Sequence, residues 1–206
     1  MPKAAMPDSR WATSSQAYGA FYKLPPRDKV KDRQHALLVA LDTPGESVPA
    51  AAAAAAGTAA NAPAQLLRAR VVTQPGDGSC LFHSLSHGSS AEPLRLRHAI
   101  ADFIESQPDA AVGGEPLREW IRWDSDLSPD AYAARMRGAG NWGGAIELAV
   151  FARLFGVAAY VYEAVPAAPG SFRRIASFRP PHETEQVAHL LYRSGVHYDA
   201  LQPVDR

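Results

Sequence analysis

The chain contains one cysteine among its 206 residues. A single thiol cannot form a disulfide within the chain, and it cannot build a zinc site that needs several cysteines. The chain also lacks an excess of either charge, with 21 Lys and Arg against 21 Asp and Glu. A sequence-blind nucleic-acid binder needs a basic excess to displace counterions, so we expect no nucleic-acid partner.

Long apolar runs are absent as well. No run approaches the ~20 residues that cross a bilayer, and the N-terminal segment lacks the apolar core of a secretory signal. We therefore expect no membrane partner and a cytoplasmic location, which would equally suit a protein acting inside a host cell. The hydrophobic share of 47% is enough for a packed core. Nothing in the composition indicates a cofactor or fixes the oligomeric state.

Composition divides the chain near residue 66. The first 65 residues hold seven prolines and the alanine tract at 50–56. Proline at this frequency interrupts helices and strand ladders, and small side chains bury little area against the entropy of ordering. We predict a flexible region at 1–65 and a folded domain at 66–206.

The second part of the chain shows helical patterns first and strand patterns later. Apolar periodicity and capping residues predict helices over 80–86, ending before Gly88, and over 95–106, 129–137 and 145–155. Alternating or β-branched segments predict strands over 67–73, 157–163, 172–178, 187–193 and 197–201. Helices packed around a small, mostly antiparallel sheet make an α+β domain.

Cys80 follows a glycine-bearing loop and opens the first predicted helix. The unpaired N–H groups and positive dipole of a helix N-terminus favour thiolate over thiol. The same N–H groups can stabilise the oxyanion that forms when a thiolate attacks a carbonyl. Cys80 is therefore a candidate nucleophile, although a free cysteine is more commonly a small buried hydrophobe.

A thiol nucleophile needs a base and a group that orients it. His197 and Asp199 are two residues apart on a predicted strand, so their side chains point the same way. Asp199 can then hold one imidazole nitrogen of His197. An early cysteine on a helix and a late histidine on a strand form the papain-like order of a Cys-His-Asp triad.

A metal site is an alternative use of the same region. Cys80, His83 and His87 lie at i, i+3 and i+7 of the predicted helix and share one face. They could hold zinc only with a fourth ligand from elsewhere, and no second cysteine exists. We therefore predict no metal.

Three segments resemble motifs of the ovarian tumour (OTU) family of cysteine proteases, and they occur in the family's order. Residues 77–85, Asp-Gly-Ser-Cys-Leu-Phe-His-Ser-Leu, resemble its cysteine box. Residues 141–148, Asn-Trp-Gly-Gly-Ala-Ile-Glu-Leu, resemble its middle motif, and His-Tyr-Asp at 197–199 resembles its histidine box. Together the motifs span most of the predicted domain.

The resemblance implies a papain-like OTU fold and a cysteine-type deubiquitinase, with ubiquitin or polyubiquitin chains as partner and no cofactor. Carried over by motif position, Cys80 is the nucleophile, His197 the base and then acid, and Asp199 its orienting group. Asp77, Gly78 and Ser79 would form the oxyanion loop, chiefly through backbone amides, with Asp77 often counted among the active residues. Trp142 would line the site.

Two positions of the cysteine box depart from the family pattern. Ser79 stands where the family commonly has Asn, and His83 stands where it commonly has Arg. His83 could thus remove a structural ion pair or add a titrating group beside the site. Three alternatives stay open: a catalytically impaired ubiquitin-binding module, the zinc domain described above, and a protease acting on another Gly-Gly-ended modifier.

Overall fold

A computed structural model describes residues 66–193 and 195–204. The predicted flexible region at 1–65 lies outside the described residues. The described part begins with strand β1 (Leu67–Val72), two helices and a two-stranded hairpin; the helices are α1 (Cys80–Ser89) and α2 (Pro93–Ser106), and the hairpin strands are β2 (Ala111–Val112) and β3 (Glu115–Pro116). Three more helices follow: α3 (Leu117–Ser125), α4 (Pro129–Arg137) and α5 (Ala145–Phe155). Strands β4 (Ala158–Ala164), β5 (Ser171–Phe178), β6 (Val187–Arg193) and β7 (His197–Pro203) complete it.

Helices α4 and α5 form where capping and periodicity predicted them. Ser128 accepts a hydrogen bond from the Ala131 N–H at 3.3 Å and starts α4, with Pro129 at the first helical position. Helix α5 is buried along nearly its whole length and ends at Gly156, whose φ of +67° suits glycine.

The five longer strands form one closed barrel in the order β1-β5-β4-β6-β7, with β7 pairing back to β1. Only β4 and β6 pair in parallel, so the prediction of a mostly antiparallel sheet is confirmed for the described residues. The β6–β7 hairpin sets Arg193 opposite His197 and Leu191 opposite Asp199. This register brings the histidine box to the end of the sheet that faces α1.

Two apolar clusters hold these layers together. The larger lies between the helices and one face of the sheet and includes Phe82, Ile100, Phe151 and Leu190, all fully buried. The smaller lies among the strands alone and centres on Tyr162, Phe172, Leu191 and Leu201. The α+β prediction is therefore confirmed, with the first turn of α1 anchored in the larger cluster.

Two local predictions were wrong or incomplete. Helix α1 does not stop before Gly88 but runs through it to Ser89, because Gly88 lets the helix lie directly against Ala188 of β6. Helix α3 was not predicted, although Leu117, Trp120 and Ile121 share its buried face. No helix of the described residues is long and apolar enough to cross a membrane.

Candidate active site

Cys80 is the first residue of α1 and is 7% exposed. The backbone amides of Leu81 and of Tyr198 in β7 are near enough to the thiol to lower its pKa. Tyr198 directly follows His197, so the N-terminus of α1 meets the N-terminus of β7 at this contact. The fold thus joins the cysteine box to the histidine box, which lie more than one hundred residues apart in the chain.

Burial raises the pKa of the Cys80 thiol above its ordinary value. The amides of Tyr198 and Leu81 act in the opposite direction, and the negative charge of Asp77 adds to the rise. The expectation that the helix N-terminus alone would favour thiolate is therefore wrong for this conformation. Desolvation of the sulfur outweighs the amide dipoles, so a base has to remove the proton.

His197 is held by Asp199, as the two-residue spacing predicted. The Nε2 atom of His197 lies 3.1 Å from Oδ1 of Asp199, and the His197 side chain is 26% exposed. Because Nε2 faces the carboxylate, Nδ1 is the ring nitrogen left to exchange a proton with a thiol or a substrate. Tyr198 points to the opposite face and is buried in the core.

Asp199 is fully buried and is fixed from three sides. Its Oδ1 also accepts the Gln74 backbone N–H at 2.8 Å, and Nε of Arg193 lies 2.8 Å from Oδ2. A buried carboxylate is tolerated only when it is paired and hydrogen-bonded in this way. These contacts hold the carboxylate still and thereby set the orientation of the imidazole.

Asp77 shapes the loop before Cys80. Its Oδ1 accepts the Ser79 N–H at 2.8 Å, and its Oδ2 lies 3.0 Å from Nε2 of His83. These contacts, the His83 hydrogen bond above all, hold the pKa of Asp77 below its usual value. The Ser79 amide is thus occupied by Asp77, which leaves the amides of Gly78 and Cys80 as the candidate donors of the predicted oxyanion loop.

His83 lies against Asp77, with its Nε2 atom 3.0 Å from Oδ2 of that side chain. Among the residues that the structure describes, no three His, Cys, Asp or Glu side chains are grouped to hold a metal ion. His83 therefore has an acidic partner at this departure from the family pattern, where the sequence had raised the loss of a structural ion pair.

A second loop, residues 138–144, lies against the first. Gly78 has φ +83°, and a Cβ placed on it would lie 2.4 Å from Cα of Gly140. Such an approach requires glycine at position 78, and the φ of +86° favours glycine at position 140. The Trp142 side chain in this loop is 59% exposed, while Gly143 packs directly on Leu81 of α1. Trp142 is thus free to line the rim of the site.

Glu147 fixes the end of this second loop. Its Oε2 accepts the Gly144 N–H at 2.6 Å, and its Oε1 accepts the Tyr132 hydroxyl at 2.7 Å. Burial raises the pKa of this carboxyl group, which is almost completely enclosed. Glu147 of the middle motif therefore caps α5 and orders the loop beside the thiol.

Two charged residues at the site were missed by the sequence analysis. Arg193 contacts Asp199 from the neighbouring strand, which only the hairpin register reveals. Arg97 is buried on the face of α2 that was predicted to be apolar. A signal for it existed, because Arg97 lies three, four and seven residues before Ile100, Ala101 and Ile104.

Comparison with known proteins agrees with this geometry. The family model described as OTU-like cysteine protease matches residues 75–200. A Schizosaccharomyces pombe relative that carries the name otu1 is 34% identical over 128 residues, covering 61% of this chain and 33% of that protein. The Xenopus laevis protein named ubiquitin thioesterase OTU1 is 30% identical over 151 residues, covering 69% of this chain and 43% of that protein. The chain therefore spans less than half the length of these relatives.

Solved structures give the same fold. The Hazara virus OTU, solved bound to ubiquitin, is 20% identical and superposes with a TM-score of 0.52 over 67% of this chain and 83% of that one. The viral OTU domain protease of Qalyub virus is 16% identical, with a TM-score of 0.51 over 66% of this chain and 85% of that one. With the family match covering more than half of its residues, the chain belongs to the OTU family of cysteine proteases.

Proposed function

We propose that the chain is a thiol-dependent deubiquitinase, which hydrolyses isopeptide or peptide bonds at the C-terminus of ubiquitin. The family membership supports the reaction class, and the names of the curated relatives support ubiquitin as the modifier. The observation that carries the proposal is the oriented His197–Asp199 pair at the start of β7, where the Tyr198 amide next to His197 is near enough to the buried Cys80 thiol to lower its pKa. This arrangement supports the assignment of Cys80 as nucleophile and of His197 as its oriented base.

The proposed mechanism begins with proton transfer from the Cys80 thiol to Nδ1 of His197. Because burial raises the pKa of the thiol, the base and the attack on the carbonyl carbon are coupled. The carbonyl oxygen gains negative charge as the C–S bond forms, and amides of the loop preceding and opening α1 stabilise it.

The imidazolium then protonates the lysine amine as the C–N bond breaks, leaving ubiquitin as a thioester on Cys80. Water attacks this thioester while His197 accepts one of its protons, and the proton returns to sulfur as the free carboxyl product leaves. Asp199 keeps Nε2 of His197 paired throughout. The exposed Trp142 is proposed to border the channel that the ubiquitin tail enters.

Hydrolysis of a panel containing every di-ubiquitin linkage tests the proposal. The full chain should release monomeric ubiquitin from at least one linkage, and Cys80→Ala and His197→Ala should release none at the same enzyme concentration. His87→Ala is a matched control, since His87 is an exposed histidine in the last turn of α1. Ubiquitin binding without any hydrolysis would contradict the proposal and favour an impaired binding module.

A further inference from the structure

The guanidinium of Arg97 is buried, with the residue 1% exposed, although it comes from a helix that is not part of the OTU motifs identified in the sequence. Its hydrogen-bond acceptors are all uncharged: backbone carbonyls, one hydroxyl and one thioether sulfur. Burying a cation is costly unless its donors are paired. Here the donors are paired with backbone carbonyl groups and not with a carboxylate. This pairing suits a guanidinium that holds backbone segments in position.

The acceptors of Arg97 lie on the two loops that border Cys80. Nη2 donates to the Gly78 carbonyl at 3.1 Å and to Oγ of Ser79 at 3.0 Å. Nη1 donates to the Asn141 carbonyl at 3.0 Å, and the Gly138 carbonyl, 3.3 Å away, shares one of its two N–H bonds. One planar group thus bridges the loop before the nucleophile to the loop that carries Trp142.

Further contacts of Arg97 anchor this bridge to the helical layer. Nη1 donates to the Met136 carbonyl at 2.9 Å, near the end of α4. The guanidinium also stacks over the Phe82 ring, with 4.1 Å between its central carbon and the ring centroid. Phe82 lies in the first turn of α1, two residues after Cys80. The bridge is therefore tied to the helix that presents the thiol.

The two loops need such a tie because glycine backbone meets glycine backbone between them. Gly78 and Gly140 touch, and neither has a side chain that could lock the contact. The peptide unit whose carbonyl binds Arg97 joins Gly78 to Ser79, so its orientation fixes that of the chain leading into the Cys80 amide.

We propose that Arg97 is a positioning residue for the hydrolytic step, which holds the oxyanion loop and the Trp142 loop in their reactive arrangement. It acts through the backbone around Gly78 and Ser79 and does not touch the substrate. This inference rests on the proposed function for its kinetic consequence, but its structural consequence can be measured without ubiquitin.

The test compares full-length Arg97→Met and Arg97→Lys with Arg137→Met. Arg137 is the matched control because its side chain also ties α4 to α2, through Asp102 at 2.6 Å and Glu105, and these ion pairs reach neither loop. The kinetic assay uses ubiquitin with a C-terminal fluorogenic amide. Hydrogen exchange with mass spectrometry follows the peptides that cover residues 76–83 and 138–144.

Displacing a preorganised oxyanion donor costs on the order of 100-fold in kcat, so Arg97→Met should lose at least about 30-fold in kcat with little change in KM. Arg97→Lys keeps the charge but cannot bridge both loops with one planar fork, and we expect it to recover less than about a tenth of the wild-type kcat. Both variants should exchange faster in the two loop peptides, whereas Arg137→Met should leave kcat and loop exchange near wild type.

A folded Arg97→Met with kcat within about 2-fold of wild type, or with unchanged exchange in both loops, would overturn the assignment. An equal kcat loss in Arg137→Met would overturn it too, because a general link between α2 and α4 would then explain the effect. If Arg97→Met does not fold, Arg97→Lys decides by the same two measurements. Absence of turnover in wild type would refute the proposed function, while loop exchange would still decide the role of Arg97.

Discussion

Asp199 shows how closely the site depends on single atoms. Its Oδ1 accepts hydrogen bonds from both the Gln74 amide and, in the proposed tautomer, His197, while Arg193 reaches its other oxygen. Only an oxygen acceptor at this point can keep Nδ1 of His197 free for chemistry. The role of Asp199 is thus set by hydrogen-bond acceptance more than by charge.

Replacing Asp199 by Asn and by Ala should therefore have unequal effects. The amide oxygen of Asp199→Asn can still accept from His197 and Gln74, but its NH2 group then faces the Arg193 donor, so we expect a loss of about 10-fold or more in kcat that stays smaller than the loss in Asp199→Ala. Asp199→Ala leaves the imidazole unoriented, and losses of this kind are on the order of 10²–10⁴-fold. Steady-state hydrolysis of a fluorogenic ubiquitin substrate measures both, and equal losses in the two variants would contradict the acceptor role.

The buried thiol predicts the pH dependence of Cys80 chemistry. Because burial raises the pKa of the Cys80 thiol, the thiol form persists at neutral pH, and alkylation by iodoacetamide should speed up as the pH rises. The midpoint should lie above that of a free cysteine in the unfolded chain. Asp77→Asn removes a charge that raises this pKa, so it should lower the midpoint. A wild-type midpoint below that of the unfolded chain would contradict this account.

At the level of whole elements, α1 carries the nucleophile and must pack closely on the sheet. Gly88 makes that packing possible, since a Cβ at this position would lie 2.4 Å from Cβ and 2.5 Å from Cα of Ala188. The second of these is a backbone atom that cannot rotate away. The close packing of α1 on the sheet therefore depends on the absence of a Cβ atom at Gly88.

Gly88→Ala should destabilise the fold even though alanine is the better helix former. The gain in helix propensity is about 1 kcal/mol, but overpacking against backbone costs typically 1–3 kcal/mol or more. We expect a net loss in the free energy of unfolding, measured by urea denaturation. Gly76→Ala is the control, because a Cβ there meets no atom within 4 Å. Equal stability of the two variants would contradict the close-packing argument.

Some boundaries and contacts of the helices and strands could be predicted from the sequence, and others could not. Helices α4 and α5 carry their own start and stop signals, Ser128-Pro129 and Gly156, and the structure places them where those signals do. The end of α1 was misplaced because Gly88 marks a helix–strand contact, which is a tertiary property. His197 and Asp199 were found from strand periodicity, whereas Arg193 depends on register across a hairpin.

The burial of the Cys80 thiol was beyond sequence analysis for a related reason. Local sequence shows a helix N-terminus and predicts thiolate, but desolvation comes from burial in the larger apolar cluster, most of whose residues are distant in the chain. Arg97 lay on a recognisable apolar stripe, yet its partners are carbonyl groups, which leave no trace in residue identity. The sequence motifs thus identified the reacting side chains, whereas the residues that bury and position those side chains became evident only in the fold.

For the whole molecule, we propose that residues 66–206 fold as one unit without residues 1–65. Both apolar clusters and every contact of the site described above lie between residues 67 and 204. A chain of 66–206 should therefore unfold cooperatively, with a Tm within about 3 °C of the full chain, since ~1 kcal/mol corresponds to 2–4 °C at this size. A fragment without a cooperative thermal transition would contradict this domain boundary.

The central claim is that Cys80, activated by His197, attacks the C-terminal carbonyl of ubiquitin. Intact-mass analysis tests it most directly, after incubation with ubiquitin whose C-terminal carboxyl is replaced by a thiol-reactive electrophile. Cys80 is the only cysteine in the sequence, so the wild-type chain should gain the mass of one ubiquitin, Cys80→Ala none, and His197→Ala should react far more slowly. Equal labelling of wild type and Cys80→Ala, or no labelling of wild type, would contradict the account.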